Sequence, residues 1–514
     1  MDLAVVQSRA SEGIEAPAVR VEVALGPGLP GVELIGTHST VGRQARERVK
    51  AALRASGFEM PVRKITVNLA PAELPKEGGR FDLPIAVGIL AANGDLPKPA
   101  LKGRMLIGEL ALTGELLTTR GILPAALAAR AAGLEAIVPA ADAGTLRHWS
   151  EGVVCARTLA EAVTYLRGRK RLPSPAEIAP IDDLIADDLD DFADVRGQDE
   201  AKWALTVAAA GGHHALLLGP PGCGKTMLAR RFAGLLPPLE HAAAEQARVI
   251  ASIANLPAPV GARPPIRMPH HSTKPGALIG GGNQAWPGEI TLAHRGVLFM
   301  DELAEWPRDV LDLLRQPLQD RQITLLRGRR AITYPAAFQL IAASNPCPCG
   351  KPPPTEGDTK GKCRCTVEQI RRYQQRVSGP FFDRLDIQVH LHPVTAEALS
   401  ATRSERLSPA LRADILVARQ RQMERQGMLN AELPGEALED LCRLKPAEWR
   451  RFMACAEASG LSARGVHRTL KVARTVADLE TARQAAISDA GNDHVTWSHL
   501  MQAMAWAPTG ADTR

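Results

Sequence analysis

The residues GPPGCGKT (219–226) have the types and spacing of a phosphate-binding loop. Glycines let backbone N–H groups curve around phosphate oxygens, and the start of a following helix adds positive potential. Lys225 is expected to reach the β- and γ-phosphates of ATP, and the Thr226 hydroxyl to ligate Mg²⁺. Because an apolar run precedes the loop and a helix-like run follows it, the segment predicts nucleotide binding. The predicted nucleotide contacts are Gly219, Pro220, Pro221, Gly222, Cys223, Gly224, Lys225 and Thr226.

Two adjacent acids complete the chemistry that such a loop needs. RGVLFMDELAEW (295–306) reads as an apolar strand that ends in Asp301 and Glu302. Asp301 is expected to hold Mg²⁺, directly or through water, and Glu302 to polarise the attacking water. Two carboxylates after GVLFM would be costly to bury without a cation, which favours the metal interpretation.

Two further polar residues are candidates for reading the γ-phosphate. FQLIAASN (338–345) is a buried-type strand that ends in Asn345, and polar residues at the carboxyl ends of such strands face the ligand crevice. SGPFFDRLDI (378–387) places Arg384 in a largely apolar stretch. Arg384 is either an arginine donated to a neighbouring subunit's γ-phosphate or one half of a local ion pair with Asp383 or Asp386.

Four of the eight cysteines lie in NPCPCGKPPPTEGDTKGKCRC (345–365). Cys347, Cys349, Cys363 and Cys365 could form a tetrahedral thiolate site for Zn²⁺, although Cys-x-Cys is tighter than the Cys-x₂-Cys spacing of zinc ribbons. Free thiols and disulfides are the alternatives, and a reducing compartment disfavours disulfides. If metal is bound, it would close the loop between Asn345 and Arg384.

The elements that must position these residues are α/β in pattern. The 514 residues predict an α/β N-terminal domain (1–170), an acidic Pro-rich linker (171–194), an α/β P-loop core (195–395) and a helical C-terminal domain (396–514). In QPLQDRQITLLRGRRAITYPAAFQLIAA (316–343), two strand-like runs flank RGRR and predict an inserted hairpin.

Composition excludes some classes and leaves others open. No apolar run is long enough to span a membrane, and MDLAVVQSRASEG lacks the features of a signal peptide, so a cytoplasmic location is expected. The net charge is +6 although residues 172–195 hold eight acids and no lysine or arginine, so the rest of the chain is basic. That excess is compatible with a polyanionic partner or simply with a solvated surface.

These motifs together resemble an AAA+ ATPase, and their insertions resemble its magnesium-chelatase-like branch. The motifs that carry the resemblance are VRGQDEAKWAL (195–205), GPPGCGKT, MDE, the strand before Asn345, FDR (382–384) and PHHSTKPGALIGGG (269–282). Nearly the whole chain is similar to the YifB/ComM family, departing from its usual pattern at THSTVGRQARERV and at STKPG.

The resemblance implies a homo-hexameric, cytoplasmic, ATP-hydrolysing DNA motor. It would be a helicase or branch-migration translocase, as the ComM members are, acting on branched or single-stranded DNA in natural transformation or recombination. Arg384 would then act in trans, and Arg464 of the C-terminal lid would be a second sensor arginine, with Arg468 as the fallback. From the residues alone, Arg464, Arg468, Lys471 and Arg474 could equally form a solvated face.

In such a ring the hairpin tips would crowd the central pore. Arg327, Arg329 and Arg330 are therefore candidates for gripping DNA phosphates. An exposed turn is also often charged for solubility alone. No aromatic residue interleaves the arginines, which favours contact with the backbone over stacking on bases.

The N-terminal domain resembles the peptidase domain of Lon without its catalytic pair. PKEGGRFDLPIAVGIL (75–90) and GELALTGELLTTRGILPAALAA (108–129) are similar to the segments that carry Lon's serine and lysine. Arg80 stands at the serine position and Leu123 at the lysine position, and Lys76 does not restore the pair. Proteolysis needs a hydroxyl beside an amine base, so the domain is expected to bind nucleic acid or to assemble subunits instead.

Two other functions stay open at this point. The ATPase core alone is compatible with a metal-chelatase subunit, although the Lon-like domain and the basic hairpin tip weigh against it. A regulatory ATPase that remodels a protein partner is the third possibility.

Overall fold

The structure is a computed structural model that describes most of the chain. The described residues are 2–36, 39–74, 76, 78–179, 191–257, 259, 261–282, 284–327, 330–351, 363–395, 407–485 and 494–508. Within these ranges, no helix combines the length and apolar character that a membrane span requires.

An N-terminal module forms around a mixed sheet. Its strands are β1 (Asp2–Arg9), β2 (Ala18–Gly26), β3 (Gly31–Ile35), β4 (Lys64–Ala70), β5 (Arg104–Leu106), β6 (Glu109–Leu110), β7 (Leu116–Leu117), β8 (Glu135–Pro139) and β9 (Val153–Ala156). Its helices are α1 (Ser39–Ala55), α2 (Asp82–Asn93), α3 (Ile122–Ala131), α4 (Ala143–Leu146), α5 (Leu159–Leu166) and α6 (Pro175–Ile178). The main sheet has the order β3-β4-β2-β1-β5-β8-β9.

Helix α2 is the centre of this module. Almost every one of its residues is buried, because it lies against β1 and β2 in the middle of the sheet. Gly88 permits that approach, since a Cβ there would lie 2.6 Å from Val23 Cγ2. The loops that lead into α2 and α3 are therefore held by a rigid core on one side.

The core module is a parallel sheet with insertions. Its strands are β10 (Ala215–Leu218), β11 (Ile266–Arg267), β12 (Gly280–Gly281), β13 (Trp286–Pro287), β14 (Val297–Met300), β15 (Gln322–Arg327), β16 (Arg330–Pro335), β17 (Gln339–Ser344) and β18 (Ile387–His390). Its helices are α7 (Asp199–Gly211), α8 (Lys225–Phe232), α9 (His241–Ala254), α10 (Pro275–Ile279), α11 (Glu289–Leu292), α12 (Arg308–Leu313), α13 (Arg315–Asp320), α14 (Val367–Gln374) and α15 (Gly379–Phe382).

The strand order of the core puts the phosphate-binding loop at its centre. The order β11-β14-β17-β10-β18 is parallel throughout, so β10 lies between β17 and β18. The inserted β15–β16 pair is an antiparallel hairpin in which Arg327 faces Arg330, which confirms the hairpin that the sequence predicts.

The C-terminal helices pack directly on this core. They are α16 (Ser408–Gln426), α17 (Leu438–Cys442), α18 (Pro446–Ala458), α19 (Ala463–Ala485) and α20 (Trp497–Ala505). A single buried apolar cluster joins them to α7, β10 and β18. Arg419 fastens the contact, because its Nε and Nη2 donate to the Ala209 carbonyl at 3.0 and 2.6 Å.

A buried ionic network orders these helices among themselves. Asp478 accepts hydrogen bonds from Arg425, Arg474 and Asn430, and the side chains of Arg474 and Asp478 are fully buried. Burial raises the pKa of Asp478, but the hydrogen bond from Arg425 and the charges of Arg474 and Arg425 outweigh it and hold this pKa below its usual value. A solvated face is therefore the wrong interpretation of Arg474, since it compensates a buried carboxylate.

The mixed α/β architecture with a helical C-terminal part confirms the fold class. Two details differ from the patterns. The run RMLIGEL breaks into β5 and β6, because the chain leaves the main sheet after Leu106. Of the acidic linker, α6 and residues 191–194 are described, whereas 180–190 lie outside the described residues.

Candidate nucleotide-binding site

The phosphate-binding loop lies where β10 ends and α8 begins. Gly224 has φ 96°, a left-handed conformation that suits glycine. Gly219 allows a close approach of neighbouring chain, because a Cβ there would lie 2.8 Å from both the Leu391 carbonyl oxygen and Cys223 Sγ. The loop thus sits at the carboxyl edge of the central strand, where parallel sheets bind ligands.

Lys225 is held across the loop. Its Nζ donates to the carbonyls of Gly219 and Pro220 at 2.7 and 2.9 Å and to Asn345 Oδ1 at 3.1 Å. Burial lowers the pKa of the ammonium, while the nearby Cys223, Asp301 and Glu302 oppose that shift. Asn345 follows β17, the neighbour of β10, so adjacent strand ends bring the two predicted residues together.

Thr226 and Asp301 form the second pair of the site. Thr226 Oγ1 donates to Asp301 Oδ2 at 2.7 Å, and Asp301 directly follows β14. A hydroxyl and a carboxylate at hydrogen-bond distance are hard oxygen donors of the kind Mg²⁺ prefers, so the residues fit a bound Mg²⁺ beside phosphate.

Glu302 differs from the expectation in its surroundings. Its side chain is half exposed, so the idea that both acids would be buried is wrong. The chain turns sharply at this residue, whose φ is 49°. Its Oε2 lies 3.1 Å from Nδ1 of His271, a residue whose contact with the proposed base the sequence did not predict.

His271 belongs to the PHHSTKPG insertion. The ring of His270 stacks on it with centroids 4.0 Å apart, and His270 Nδ1 lies 2.7 Å from Ser272 Oγ. In the sequence, the two histidines are only part of a motif that resembles the family, and no contact is predicted for them. The contact between His271 and Glu302 follows from the fold, because the insertion returns across the carboxyl edge of the sheet.

Gln198 is a second residue that sequence reasoning missed. Its side-chain amide donates to the carbonyls of Cys223 and His392, at 3.1 and 2.6 Å. One side chain thereby ties the phosphate-binding loop to the segment after β18. The left-handed backbone at Gln198, with φ 60°, aims it there.

Arg384 lies at the opposite edge of the sheet from the loop. It precedes β18, and Ile387 pairs with Ala215 at the start of β10. The loop follows the end of β10, four residues or about 13 Å further along the strand. Arg384 donates to the Arg315 and Pro380 carbonyls and to Gln319 Oε1, at 3.3, 2.8 and 3.0 Å.

The local ion pairs considered for Arg384 do not form. Asp386 accepts from the His214 N–H at 3.0 Å and lies 3.6 Å from His213 Nδ1, whereas Asp383 lies 3.6 Å from Arg468. Among the described residues, no carboxylate pairs with Arg384. Arg384 therefore lies at the amino edge of the sheet, opposite the phosphate-binding loop of its own chain.

The two C-terminal arginines differ in role. Arg464 is exposed in the first turn of α19. Arg468, one turn further, donates to the carbonyls of Phe382 and Leu385 at 2.9 and 2.7 Å and thereby braces the turn that carries Arg384. The structure thus places Arg464 near the Arg384 edge, and its role as a sensor stays a prediction.

The four clustered cysteines do come together. Their Sγ atoms all lie within 4.8 Å of one another, and Cys347, Cys349 and Cys363 are 3.4 to 3.5 Å apart. Four thiolates at about 2.3 Å from one zinc ion would be about 3.8 Å apart, so the donors fit zinc. None of the chain's cysteines forms a disulfide within the described residues.

The cysteine cluster adjoins the phosphate-binding loop. Gly350 packs so closely that a Cβ on it would lie 2.7 Å from Pro221 Cδ and 3.6 Å from Asn345 Cγ. Residues 352–362, between the two pairs of cysteines, lie outside the described ones. The cluster is thus adjacent to Asn345, as expected.

The hairpin tip is engaged by the N-terminal module. Arg330 Nη1 lies 2.8 Å from Glu12 Oε1, and its Nη2 contacts the Glu73 carbonyl. The side chain of Arg327, and Arg329 as a whole, lie outside the described residues. Arg330 is therefore committed to an interface between modules in this conformation, and DNA contacts by these arginines stay a prediction.

The Lon-like positions carry neither nucleophile nor base. Arg80 is buried, and Leu123 is fully buried in an apolar cluster around α3. Lys76 is also buried, and its Nζ contacts the Pro71 carbonyl. The expectation that the module does not hydrolyse peptides stays a prediction.

Comparisons with known families cover most of the chain. Family profiles described as "Magnesium chelatase, subunit ChlI", "Subunit ChlI of Mg-chelatase" and "Magnesium chelatase, subunit ChlI C-terminal" match residues 191–399, 21–142 and 405–506. An uncharacterized protein YifB of Salmonella typhimurium is 43% identical over 98% of this chain and 97% of its own.

Two further relatives extend the comparison. The competence protein ComM of Haemophilus influenzae is 43% identical, over 98% of this chain and 97% of its own. An archaeal Lon protease of Methanocaldococcus jannaschii is 33% identical over 91 residues, which are 18% of this chain and 12% of its own. The last match supports the Lon-like resemblance over a short stretch.

The geometry of the loop predicts that Lys225→Ala abolishes ATP binding. The substitution removes the ammonium that spans the loop and that would otherwise neutralise phosphate charge, so affinity for a fluorescent ATP analogue should fall by at least about a hundredfold. Lys64→Ala is the control, because Lys64 is an exposed lysine paired with Glu33 on the N-terminal module. Equal affinities of the two variants would contradict the assignment.

Proposed function

Because the chain belongs to the magnesium-chelatase-like YifB/ComM family, we propose that it is a hexameric DNA motor driven by ATP hydrolysis. It acts as a helicase or branch-migration translocase in natural transformation or recombination. The likeness to a competence protein supports the DNA substrate. The observation that carries the ring is Arg384, which pairs with no carboxylate in the part of the chain that the structure describes and lies at the edge opposite its own phosphate-binding loop.

The proposed mechanism divides the work between two subunits. One supplies the loop, Lys225, Thr226 and Asp301, which bind ATP and would hold Mg²⁺, and Glu302, which orients water. Its neighbour supplies Arg384, which stabilises the charge that develops on the transferred phosphoryl group. Arg464, at the same edge as Arg384, joins it in trans. Hydrolysis is then sensitive to how adjacent subunits sit against each other.

A metal-chelatase subunit is the second candidate. It is favoured by the family profiles, whose descriptions name magnesium chelatase. A regulatory ATPase acting on a protein partner would share the same site. The dependence of ATP hydrolysis on DNA distinguishes these functions from the motor. Branched DNA should accelerate hydrolysis by the motor but not by a chelatase subunit or by a regulatory ATPase.

The motor predicts ATP-dependent strand displacement on forked or four-way DNA. Arg384→Ala should bind ATP normally yet lose about 10³-fold in hydrolysis, and should displace no strand. An equimolar mixture of Arg384→Ala and Lys225→Ala subunits should regain part of the hydrolysis, because some interfaces combine an intact loop with an intact arginine. No recovery on mixing would refute action in trans, and no displacement by the natural sequence would refute the motor.

The contact between His271 and Glu302 predicts a restraint on hydrolysis. A carboxylate engaged by an imidazole is less available to water, so His271→Ala should raise hydrolysis without DNA by about two- to tenfold, the worth of one hydrogen bond. His270→Ala is the comparison: its ring stacks on His271 and its Nδ1 contacts Ser272, so its effect should be smaller than that of His271→Ala. Steady-state phosphate release measures both, and unchanged or slower hydrolysis by His271→Ala would count against the restraint.

We also propose that the four clustered cysteines bind one structural zinc ion. Their convergence beside Pro221 and Asn345 supports this role, because a metal there would fix the loop that backs the phosphate site. The cysteines have no part in the reaction itself, since the ATPase groups are complete without them.

Metal analysis of the purified protein should find about one zinc per chain. Cys363→Ser should lower the zinc content and the melting temperature, because three thiolates hold zinc less firmly than four. Cys455→Ser, which removes a half-buried cysteine outside the cluster, should change neither. Zinc-free natural protein with an unchanged melting temperature after chelation would disprove the site.

A further inference from the structure

A partly open cavity lies between the N-terminal module and the core, away from the nucleotide site. Its volume is about 390 Å³, in the range of pockets for small molecules. Two loops of the N-terminal module line it, residues 78–80 before α2 and 118–120 before α3. Asn255, Trp286 and Tyr334 of the core close the other side. We call it the interface cavity.

Arg80 gives this cavity a positive charge that no hydrogen bond or ion pair among the described residues compensates. The side chain lines the cavity yet the residue is only 6% exposed, and its Nε and Nη2 are buried without a hydrogen-bond partner among the described residues. Burial alone lowers the pKa of the guanidinium to about 10, which leaves it charged at neutral pH. A buried charge without a partner is strongly destabilising, and an anion relieves it.

The acids close to Arg80 are already engaged. Asp82 accepts from Arg48 Nε at 2.6 Å and from the Leu110 N–H at 3.3 Å. Glu109, which lines the cavity, lies 4.0 Å from the same Arg48. Asp142, beyond the wall, accepts from the Thr118 hydroxyl and the Thr119 N–H at 2.9 and 3.1 Å.

Apart from Glu109, the rest of the lining favours negative charge. Arg120 reaches the cavity with its guanidinium over the Trp286 ring, 4.9 Å from the centroid. The amino-terminal ends of α2 and α3 both border the cavity, because the lining loops lead directly into these helices. Helix amino termini carry partial positive charge and bind phosphate groups readily.

We propose that the interface cavity binds a small phosphate or phosphomonoester anion, with Arg80 as its buried counter-charge and Arg120 at its side. This inference is independent of the motor and of the ATP site. Arg80, which stands where the similar segment of Lon has its catalytic serine, thereby becomes part of a ligand site. Since both modules line the cavity, a bound anion strengthens the contact between them.

That contact already includes the Arg330–Glu12 pair, apolar packing of Val249 against the cluster around α3, and three hydrogen bonds. The Gly121 N–H donates to the Ser252 carbonyl at 2.9 Å, the Leu123 N–H to Ser252 Oγ at 3.2 Å, and Trp149 Nε1 to Glu245 at 2.7 Å. All three connect the N-terminal module to α9 of the core. An anion at Arg80 adds a charged link beside them, so it should raise the stability of the whole chain.

The test uses full-length protein carrying Lys225→Ala, which removes phosphate binding at the nucleotide loop. Inorganic phosphate and adenosine monophosphate are titrated separately, against sodium chloride at matched ionic strength, with melting temperature and calorimetry as readouts. We expect saturable binding and a raised melting temperature with at least one probe. A response to phosphate indicates a free ion, and a response to the monophosphate alone indicates a larger phosphorylated ligand.

Arg80→Met, added to that protein, should weaken binding at least tenfold without lowering the melting temperature in the absence of anion. Arg104→Met is the matched control, because Arg104 pairs with Glu135 outside the cavity, and it should leave binding unchanged. If Arg80→Met does not fold, Arg120→Met should weaken binding instead. The proposal is overturned if neither probe binds beyond the effect of chloride, or if binding persists unchanged in the Arg80 and Arg120 variants.

Discussion

The parallel pairing of β10 with β17 and β18 is the constraint on which the nucleotide site depends. It aligns the carboxyl ends of neighbouring strands, which puts Asn345 within hydrogen-bond reach of Lys225. The same register fixes the other edge, where Arg384 emerges before β18. One set of backbone hydrogen bonds thus separates the proposed ATP-binding groups from Arg384, which the proposed ring would place beside another subunit's ATP.

The site residues that the structure places where the sequence patterns put them are those set by contiguous sequence, and their roles stay predictions. The loop 219–226, the acids after β14 and the polar end of β17 need only a strand and its next residue to be placed. The four cysteines also converge, as two Cys-x-Cys pairs that are each local in sequence. The fold class followed from the same patterns, whereas the domain boundaries and the roles of Arg464 and the hairpin arginines stay predictions.

The residues that were missed act through tertiary contacts. His271 contacts Glu302, and Gln198 contacts Cys223 and His392. These partners are far apart in sequence, and no periodic pattern predicts the contacts. The sequence is compatible with Arg474 on a solvated face, because charged residues on a long helix usually face solvent. The structure instead buries Arg474 beside its partner Asp478. For the same reason, the sequence does not decide whether Arg384 forms a local ion pair or acts on a neighbouring subunit. Only the fold shows that Asp383 and Asp386 contact other residues.

The shared apolar cluster of the core sheet and the C-terminal helices limits how a subunit can change shape. Helices α16 and α19 pack on α7 and on the strands that carry the nucleotide loop, and Arg419 and Asp478 hold them by buried polar bonds. A hinge between core and C-terminal helices would have to expose that cluster to water. In the proposed ring, a subunit would therefore turn as one body, and the flexible surfaces would be those between subunits.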